Sequence, residues 1–290
     1  MAIDKRILVT GANGQLGQEI QRLSPAFPDY EFQFFPRETL SIADEGQVKD
    51  VFKKNQPGFL INCAAYTAVD KAETDQEAAR SINGTATGSL AAICKEYGTR
   101  FIHISTDYVF DGKATQPYKV NAPVDPQGVY GATKLEGEQL AMKANPDSII
   151  IRTSWVYSEF GKNFVKTMMR LMKEKESVSV VSDQSGSPTY AFDLGEAILQ
   201  IIESNQWKGG IYHYSNTGII TWYDFAVAIR ELIHSSCKVN PIPTSGYPTP
   251  AKRPAYSAMD TSLISETFGI KLKPWKERLS ACIDRLNATV

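Results

Sequence analysis

Tyr130 and Lys134 form a Tyr-x-x-x-Lys pair in the segment VYGATKLEGEQLAMKA, which we predict to be a helix over 129–144. Residues four apart lie on one face of a helix, so the ammonium group would lie close to the phenol. A neighbouring positive charge favours the phenolate, and we therefore expect the pKa of Tyr130 to lie below its usual value of ~10. Such a phenol could act as a general acid in the reduction of a carbonyl group.

Ser105, Thr106 and Asp107 place two hydroxyls and a carboxylate at the end of a predicted strand over 100–106. Ligands of open α/β sheets bind at the carboxyl ends of the strands, so we expect Thr106 to hold a substrate oxygen beside Tyr130. A Tyr-x-x-x-Lys pair alone also occurs on many solvated helix faces. It points to catalysis only together with this strand end and a phosphate-binding turn elsewhere in the chain.

Gly11, Gly14 and Gly17 form such a turn, between the apolar run at 5–10 and a predicted helix. Gly11 permits the tight turn, Gly14 lets the backbone approach a pyrophosphate, and Gly17 lets helix and strand pack closely. The start of the helix then offers free N–H groups and a positive dipole end to the phosphates. The sequence therefore predicts a dinucleotide site at the start of the chain.

Arg37 follows the second predicted strand, EFQFF at 31–35. Many dinucleotide-binding folds have an acidic residue here that accepts the ribose 2′-hydroxyl, whereas a guanidinium suits a 2′-phosphate. We therefore predict NADPH as the cofactor. Glu38 keeps NADH use open, and Arg37 could equally be a solvated side chain at a strand end.

Apolar runs alternate with helical patterns through the first 157 residues. Strands are predicted at 5–10, 31–35, 59–66, 100–106 and 148–157, and helices at 44–54, 77–97 (ended by Gly98) and 129–144. The runs are too continuous for a sheet with one exposed face, which indicates a parallel sheet covered on both sides. Beyond these, we predict helices at 164–174 and 221–233 and a long ordered loop in the proline-rich stretch 241–254.

The fold class that follows is α/β, a Rossmann-like doubly wound parallel sheet with a smaller, mixed α/β substrate-binding lobe toward the C-terminus. We assign residues 1–155 plus about 190–218 to a dinucleotide-binding domain. Residues of about 156–189 plus 219–290 are assigned to a substrate-binding domain.

The composition excludes several classes of protein. The 290 residues have a net charge of −1, which argues against nucleic-acid binding and gives no attraction to anionic membranes. No apolar run approaches the ~20 residues of a membrane span, and the N-terminal segment has no signal-peptide pattern. Four cysteines lie far apart without a Cys-x-x-Cys motif, so we expect neither disulfides nor a metal site, and a reducing cytoplasmic setting.

Characteristic segments lie along nearly the whole chain: TGANGQLG (10–17), INCAAYTAVDKAE (61–73), INGTA (82–86), HISTDYVFDG (103–112), VYGATKLEGE (129–138), IRTSWVY (151–157), NFVKTMMRL (163–171), VSDQSGSPT (181–189), TWYDFA (221–226) and YPTPAKRP (247–254). Together they resemble the extended short-chain dehydrogenase/reductase family, and within it reductases of dTDP-linked keto sugars. The resemblance implies reduction of the C4 ketone of dTDP-4-dehydro-L-rhamnose to dTDP-L-rhamnose with NADPH or NADH, and leaves a homodimer open.

The resemblance also implies a role for particular residues. Tyr130 would be the proton donor and Lys134 its partner, which also bonds the nicotinamide ribose. The other implied contacts are Gly14, Gln15 and Leu16 to the pyrophosphate, Ser41 and Ile42 to the adenine, Ala65, Tyr66 and Thr67 to the nicotinamide half, and Thr106, Asp107 and Trp155 to the sugar.

A diphosphate substrate needs cations and amides around it, for which the residues themselves offer candidates. Arg253 in the proline-rich stretch is the expected cation, and Asn163 could donate an amide. Gln184 and Ser187 lie in a polar turn that could contact the nucleotide. Each of these could equally be an ordinary loop residue, and Trp155 could be a core aromatic.

Two other functions remain open from the sequence. Relatives of this fold have become regulatory subunits that bind a cofactor without turning it over, although the intact Thr106, Tyr130 and Lys134 argue against this function. A sugar-nucleotide 4-epimerase is the second alternative. An epimerase would hold its cofactor through the cycle and would show no net change in nicotinamide absorbance.

Overall fold

A parallel six-stranded sheet forms the centre of the molecule, described here for residues 4–204 and 206–288 of a computed structural model. The strands are β1 (Arg6–Thr10), β2 (Glu31–Phe35), β3 (Phe59–Asn62), β4 (Arg100–Thr106), β5 (Ile149–Thr153), β6 (Val156–Tyr157), β7 (Ser177–Val181), β8 (Ser185–Gly186), β9 (Thr189–Tyr190), β10 (Gly210–His213), β11 (Ile220–Thr221) and β12 (Lys238–Ile242). The central sheet has the order β10-β5-β4-β3-β1-β2, and all its strand pairs are parallel.

Helices cover both faces of this sheet. The α-helices of the described residues, in both lobes, are α1 (Gln15–Leu23), α2 (Glu45–Asn55), α3 (Val69–Ala72), α4 (Gln76–Arg80), α5 (Ala86–Tyr97), α6 (Val129–Ala144), α7 (Phe164–Glu174), α8 (Ala191–Glu203), α9 (Trp222–Leu232), α10 (Ser262–Phe268) and α11 (Trp275–Ala288). Side chains of α1, α8 and α10 pack on one face, and those of α2, α5 and α6 on the other. Adjacent strand residues such as Ile149 and Ile150 are both fully buried because each faces a different helical layer.

A second apolar core lies in a smaller lobe toward the C-terminus. It contains side chains of α7, α9 and α11 together with those of β7 and β12. The lobe is mixed: β7 pairs with β12 and β6 with β9 in parallel, whereas β8 and β11 are antiparallel. The predicted fold class, a Rossmann-like doubly wound parallel sheet with a smaller mixed lobe, is confirmed.

Two predicted strands end earlier than expected. The strand predicted at 59–66 ends at Asn62, and the one predicted at 148–157 ends at Thr153. In the second case the chain turns at Trp155, whose φ is +48°, and re-enters extended structure as β6 in the other lobe. In both places the residues that follow the strand line the cleft.

The helix predicted at 77–97 is interrupted by a π-helical turn over Ser81–Thr85, between α4 and α5. The turn carries Asn83, whose side chain accepts from the Tyr66 N–H at 2.8 Å and donates to the Tyr66 carbonyl at 3.1 Å. Helix α6 approaches closely here, since a Cβ on Gly137 would lie 2.0 Å from the Asn83 carbonyl oxygen. The π turn thus fixes the loop after β3, as such turns often do at functional sites.

The proline-rich stretch 241–254 was predicted to be a loop throughout, and this prediction is wrong for its start. Its first two residues belong to β12, where Pro241 lies opposite Val180 of β7. Proline lacks the N–H of a ladder bond, but a strand with a neighbour on one side only leaves alternate N–H groups unpaired.

The helices predicted at 129–144 and 164–174 begin and end at the predicted residues.

Candidate active site

The glycine-rich turn packs without room for side chains. Gly11 has φ +66°, and its Cβ would lie 2.6 Å from the Ala64 nitrogen. A Cβ on Gly17 would lie 2.5 Å from the Gly11 carbonyl oxygen, so α1 rests directly on the turn. Gly14 is the N-cap of α1, where no side chain caps the helix. This bare helix start, with a backbone cradle that a Cβ would fill, fits the pyrophosphate of a dinucleotide.

Replacing Gly17 with Ala should lower the free energy of unfolding by about 2–3 kcal/mol, because the methyl group would be forced into the backbone of the turn. Gly98 is the matched control. It is also constrained, with φ +67°, but a Cβ there meets nothing within 4 Å. Gly98→Ala should therefore cost only about 1 kcal/mol for the left-handed backbone. Urea unfolding of the two variants measures this, and equal losses would contradict close packing at Gly17.

A cleft of about 760 Å³ opens at the carboxyl ends of β1, β3 and β4, where the strand order reverses direction in the sheet. This is the position at which doubly wound sheets bind ligands. The predicted site residues that line the cleft are Gly11, Gly14, Gln15, Leu16, Arg37, Ser41, Ile42, Ala65, Tyr66, Thr67, Thr106, Asp107, Tyr130, Lys134 and Trp155.

Several predicted substrate residues lie outside the lining of this cleft. Asn163 caps α7 by accepting from the Lys166 N–H, and its amide donates to Gln15 Oε1 at 2.9 Å and to the Ser158 carbonyl at 2.6 Å. Gln184 is buried and donates to Thr244 Oγ1 at 3.0 Å. Ser187 is buried, and its carbonyl accepts from the Ser154 hydroxyl. The side chains of Asn163 and Gln184 thus have partners within the protein, whereas the partner of Ser187 bonds its backbone.

Arg253 lies in a smaller pocket of about 120 Å³, which shares Tyr108 with the main cleft. Its guanidinium forms a bidentate ion pair with Asp70, with both N–O distances at 2.9 Å. Asp70 also accepts from the Ala251 N–H at 3.2 Å. The ion pair, which holds the pKa of Asp70 below its usual value, ties the end of the proline-rich stretch to α3.

Tyr130 lies half-buried in the cleft beside Thr106. Burial raises the pKa of Tyr130 to about 12, a hydrogen bond with Thr106 lowers it in part, and the charge of Asp107 raises it. The prediction that Lys134 brings this pKa below its usual value is therefore wrong: desolvation of the phenol dominates, and the charge that acts on it is that of Asp107. The phenol is thus held in the protonated form at neutral pH.

Thr106 and Asp107 are joined at the end of β4. The Thr106 hydroxyl donates to Asp107 Oδ1 at 2.9 Å and accepts from the Tyr108 N–H at 3.2 Å. Burial raises the pKa of Asp107 to about 6, against the opposing effect of hydrogen bonds from Thr106 and Ser257. The Thr106 oxygen is therefore fixed in place on the same side of the cleft as Tyr130.

A buried ion pair supports this strand end from below. Arg152 of β5 and Glu138 of α6 are 3% and 2% exposed, and their closest N–O distance is 2.6 Å. The Ser105 hydroxyl donates to Glu138 Oε1 at 2.5 Å. The pair thereby connects β5 with β4, which ends at Thr106, and with α6, which carries Tyr130.

Lys134 also lies at the base of the cleft. Its Nζ donates to the Ile104 carbonyl at 2.6 Å and lies 3.1 Å from His103 Nε2. Burial lowers the pKa of Lys134 to about 8, which the charge of Glu138 offsets in part. Burial and the charge of Lys134 also hold the pKa of His103 well below its usual value. His103, predicted to be a packed histidine, lies within the strand and is fully buried.

Sequence reasoning missed four residues at the site. Tyr108 lines the cleft and packs edge-on against Tyr130, with ring centroids 5.5 Å apart. Lys162 is an exposed cation of the cleft lining, and Trp222 stacks on Trp155 at 3.6 Å. Asp70 is the partner of Arg253. Tyr108 could have been found from its position directly after Asp107, but no spacing signals the other three.

Within residues 4–204 and 206–288, no helix is long and apolar enough to cross a lipid bilayer. The same residues contain no group of three or more His, Cys, Asp or Glu side chains placed to hold a metal ion.

Comparison with known proteins gives a consistent result. The chain is 43% identical over 275 residues to the spore coat polysaccharide biosynthesis protein SpsK of Bacillus subtilis, covering 94% of this chain and 95% of that protein. It is 40% identical to a dTDP-4-dehydrorhamnose reductase of Aggregatibacter actinomycetemcomitans, covering 94% of this chain and 97% of that one.

Solved structures agree with the sequence relatives. The crystal structure of the Bacillus anthracis dTDP-4-dehydrorhamnose reductase in complex with NADP superposes with a TM-score of 0.92 at 38% identity, covering 97% of this chain and 99% of that one. The family model described as the RmlD substrate binding domain matches residues 5–288. A match of that extent, over a cleft built in this way, shows that the chain belongs to the RmlD substrate binding domain family.

Proposed function

We propose that the protein reduces the C4 ketone of dTDP-4-dehydro-L-rhamnose to give dTDP-L-rhamnose, with NADPH as the reductant. The observation that carries this proposal is the meeting of Thr106, Tyr130 and Lys134 in one cleft with the glycine turn of a dinucleotide site. The relatives named dTDP-4-dehydrorhamnose reductase support the substrate, and the NADP complex of one of them supports the cofactor.

The residues of the cleft provide what a ketone reduction needs. The bound nicotinamide cofactor supplies the hydride. Negative charge then develops on the ketone oxygen, where the Tyr130 phenol donates a hydrogen bond. The Thr106 hydroxyl would donate a second one by turning its single proton from Asp107 to the ketone oxygen. Because its raised pKa keeps Tyr130 protonated, the phenol has a proton to give at neutral pH. Lys134, in its charged form, stabilises the phenolate that remains.

Other parts of the cleft would bind the two ligands. Gln15, Leu16 and the cation of Lys162 would meet phosphate groups, and Trp155 would lie against the sugar.

The division of the chain into a dinucleotide domain (1–155 and about 190–218) and a substrate domain stays a prediction. The packing of α8 and β10 with the central sheet supports it, whereas α10 packs with that sheet although it was assigned to the substrate domain.

Replacing Arg37 with Gln should weaken the binding of NADPH by about 10–100-fold, since a charge-assisted hydrogen bond to the 2′-phosphate is worth about 1.5–3 kcal/mol. Arg37 is exposed at the rim of the cleft, so the change should not disturb packing. The affinity for NADH should stay within about twofold of the parent value, because NADH has no 2′-phosphate. Fluorescence titration of both cofactors measures this, and an equal loss for both would contradict the role of Arg37.

A turnover assay with synthetic dTDP-4-dehydro-L-rhamnose tests the proposal as a whole. NADPH absorbance should fall in step with the appearance of dTDP-L-rhamnose. A regulatory subunit would bind NADPH and consume none. An epimerase would interconvert sugars with no net change in absorbance, and either result would overturn the proposal.

We further propose a cytoplasmic location and leave a homodimer as a prediction. All four cysteines are free, as a reducing compartment requires. Light scattering of the purified protein would measure the mass of the assembly. A monomer at all concentrations would contradict the dimer.

A further inference from the structure

A chain of buried polar groups runs beneath the cleft from β1 to α6. The Thr10 hydroxyl donates to Asn62 Oδ1 at 2.7 Å, Asn62 Nδ2 lies 3.0 Å from His103 Nδ1, and His103 Nε2 lies 3.1 Å from Lys134 Nζ. Thr10, Asn62 and His103 are at most 1% exposed, so water does not compete for these bonds. Each contact therefore needs one donor and one acceptor.

The orientation of the Asn62 amide is fixed by a backbone group. The Ala64 N–H donates to Asn62 Oδ1 at 3.2 Å, and a backbone N–H can only donate. The oxygen of the amide must therefore face Ala64 and Thr10, and its NH₂ group must face His103.

This orientation fixes the tautomer of His103. Because Asn62 Nδ2 donates, His103 Nδ1 must be the nitrogen without a proton. A neutral imidazole then carries its proton on Nε2, the atom that faces Lys134. Burial keeps the ring neutral, since the pKa of His103 lies well below its usual value.

We propose that His103 controls the charge of Lys134: its Nε2–H donates to the Lys134 amine, and a donor at that position opposes protonation of the amine. A neutral amine can accept this bond through its lone pair while it donates to the Ile104 carbonyl. An ammonium group has only donors and would face the imidazole N–H with no acceptor between them. His103 is thus a positioning residue that acts through Lys134.

The other charged and titratable groups around Lys134 do not cancel the effect of the His103 donor. The charge of Glu138 favours the ammonium, but that carboxylate is already paired with Arg152 of β5. Cys63, which follows β3, is half-buried, and desolvation raises its pKa to about 12, so it is a neutral thiol. Tyr130, on the same helix, is protonated and neutral as well. The pKa of about 8 at Lys134 agrees with an amine that titrates close to working pH.

The consequence for the reaction rests on the proposed function. Only the ammonium form of Lys134 can stabilise the phenolate left on Tyr130, so the rate should fall as the pH rises through the titration of Lys134. Removing the opposing donor should move this alkaline limb to higher pH. One hydrogen bond corresponds to a shift of about one pH unit.

The first test is nuclear magnetic resonance of protein labelled with ¹⁵N-histidine, which needs no turnover. His103 should show an unprotonated Nδ1 and a protonated Nε2 throughout the neutral range. His103→Phe assigns its signals among the three histidines of the chain. An Nδ1–H tautomer or an imidazolium would overturn the proposal, whether or not the protein reduces a sugar.

The second test changes, in two independent ways, which atom of His103 donates in the row of hydrogen bonds from Thr10 to Lys134. His103→Phe removes the donor, and Asn62→Asp places a carboxylate that should draw the proton to Nδ1 and leave Nε2 as an acceptor for the ammonium. Both variants should raise the titration midpoint of the Lys134 ¹³Cε signal by about one pH unit. The alkaline limb of turnover should move with it, and Asn62→Asp should also reverse the tautomer of His103.

His213 provides the matched control. It is equally buried on β10, and its Nδ1 bonds the Asp260 carbonyl rather than a lysine. His213→Phe should leave the Lys134 midpoint unchanged. A purely structural role of His103 would lower the rate of the variants without moving the midpoint, and that result, or a shift to lower pH, would overturn the proposal.

Discussion

Tyr130→Phe should lower kcat about 10²–10⁴-fold while the affinity for NADPH stays nearly unchanged, because the variant loses the proton donor and keeps the ring. The phenol lies half-buried in the cleft beside Thr106, with its pKa raised to about 12, and a phenylalanine ring at this position has no proton to donate. Single-turnover oxidation of NADPH with dTDP-4-dehydro-L-rhamnose measures the rate, and fluorescence titration measures cofactor affinity.

Tyr108→Phe is the control for this experiment. Tyr108 packs edge-on against Tyr130 and lines the same cleft, but its hydroxyl donates no proton in the proposed mechanism. Its loss of a hydroxyl should lower kcat less than about tenfold. If both variants lost the same factor, or if Tyr130→Phe turned over at the parent rate, Tyr130 would not be the proton donor.

Glu138→Gln should lower the free energy of unfolding by about 3–5 kcal/mol, because it leaves the buried charge of Arg152 without its partner. The two side chains are at most 3% exposed, and α6, β4 and β5 meet at this pair. Urea unfolding followed by circular dichroism measures the loss. The rate of turnover is a second readout, because β4 ends at Thr106.

Glu136→Gln, two residues earlier on the same helix, is the matched control. Glu136 pairs with Arg80 in water, where the side chains are 28% and 67% exposed, and such a pair is worth less than about 1 kcal/mol. A double variant, Glu138→Gln with Arg152→Met, should recover part of the loss because it removes the unpaired charge. Additive losses in the double variant would contradict this explanation.

The parts of the site that were predicted from sequence are those encoded by local spacing. The three glycines from 11 to 17 give both the turn and the helix start, and Tyr130 and Lys134 share a helix whose ends were also predicted. The parallel sheet followed from apolar runs such as that at 149–153. In each case the physical cause, a backbone approach or a helical repeat, acts within a few residues along the chain.

What could not be predicted depends on contacts between distant residues. Arg253 was expected to be available to a diphosphate, but its partner Asp70 is 183 residues away in the chain. The direction of the pKa shift of Tyr130 was wrong for a related reason. Helical spacing places Tyr130 and Lys134 on one face of α6, but the desolvation that shifts both pKa values depends on the whole tertiary structure.

Helix α8 was not predicted, although its sequence carries a helical period. Asp193, Glu196, Gln200 and Glu203 lie three or four residues apart and therefore share one face of the helix. Leu194, Ile198 and Ile202 are at most 1% exposed and pack against α1 and the central sheet. The signal for this helix was therefore present in the sequence.

The route of the chain between the two lobes makes the molecule indivisible. After leaving the sheet near Trp155, the chain returns to it as α8 and β10, leaves again, and comes back once more as α10 before ending in the smaller lobe. A fragment cut at residue 155 would lack one edge strand and most of one helical layer, and would expose Ile149 and Ile151 to water. Heat should therefore melt both lobes in a single cooperative transition, and a protease nick in either lobe would release no autonomous half.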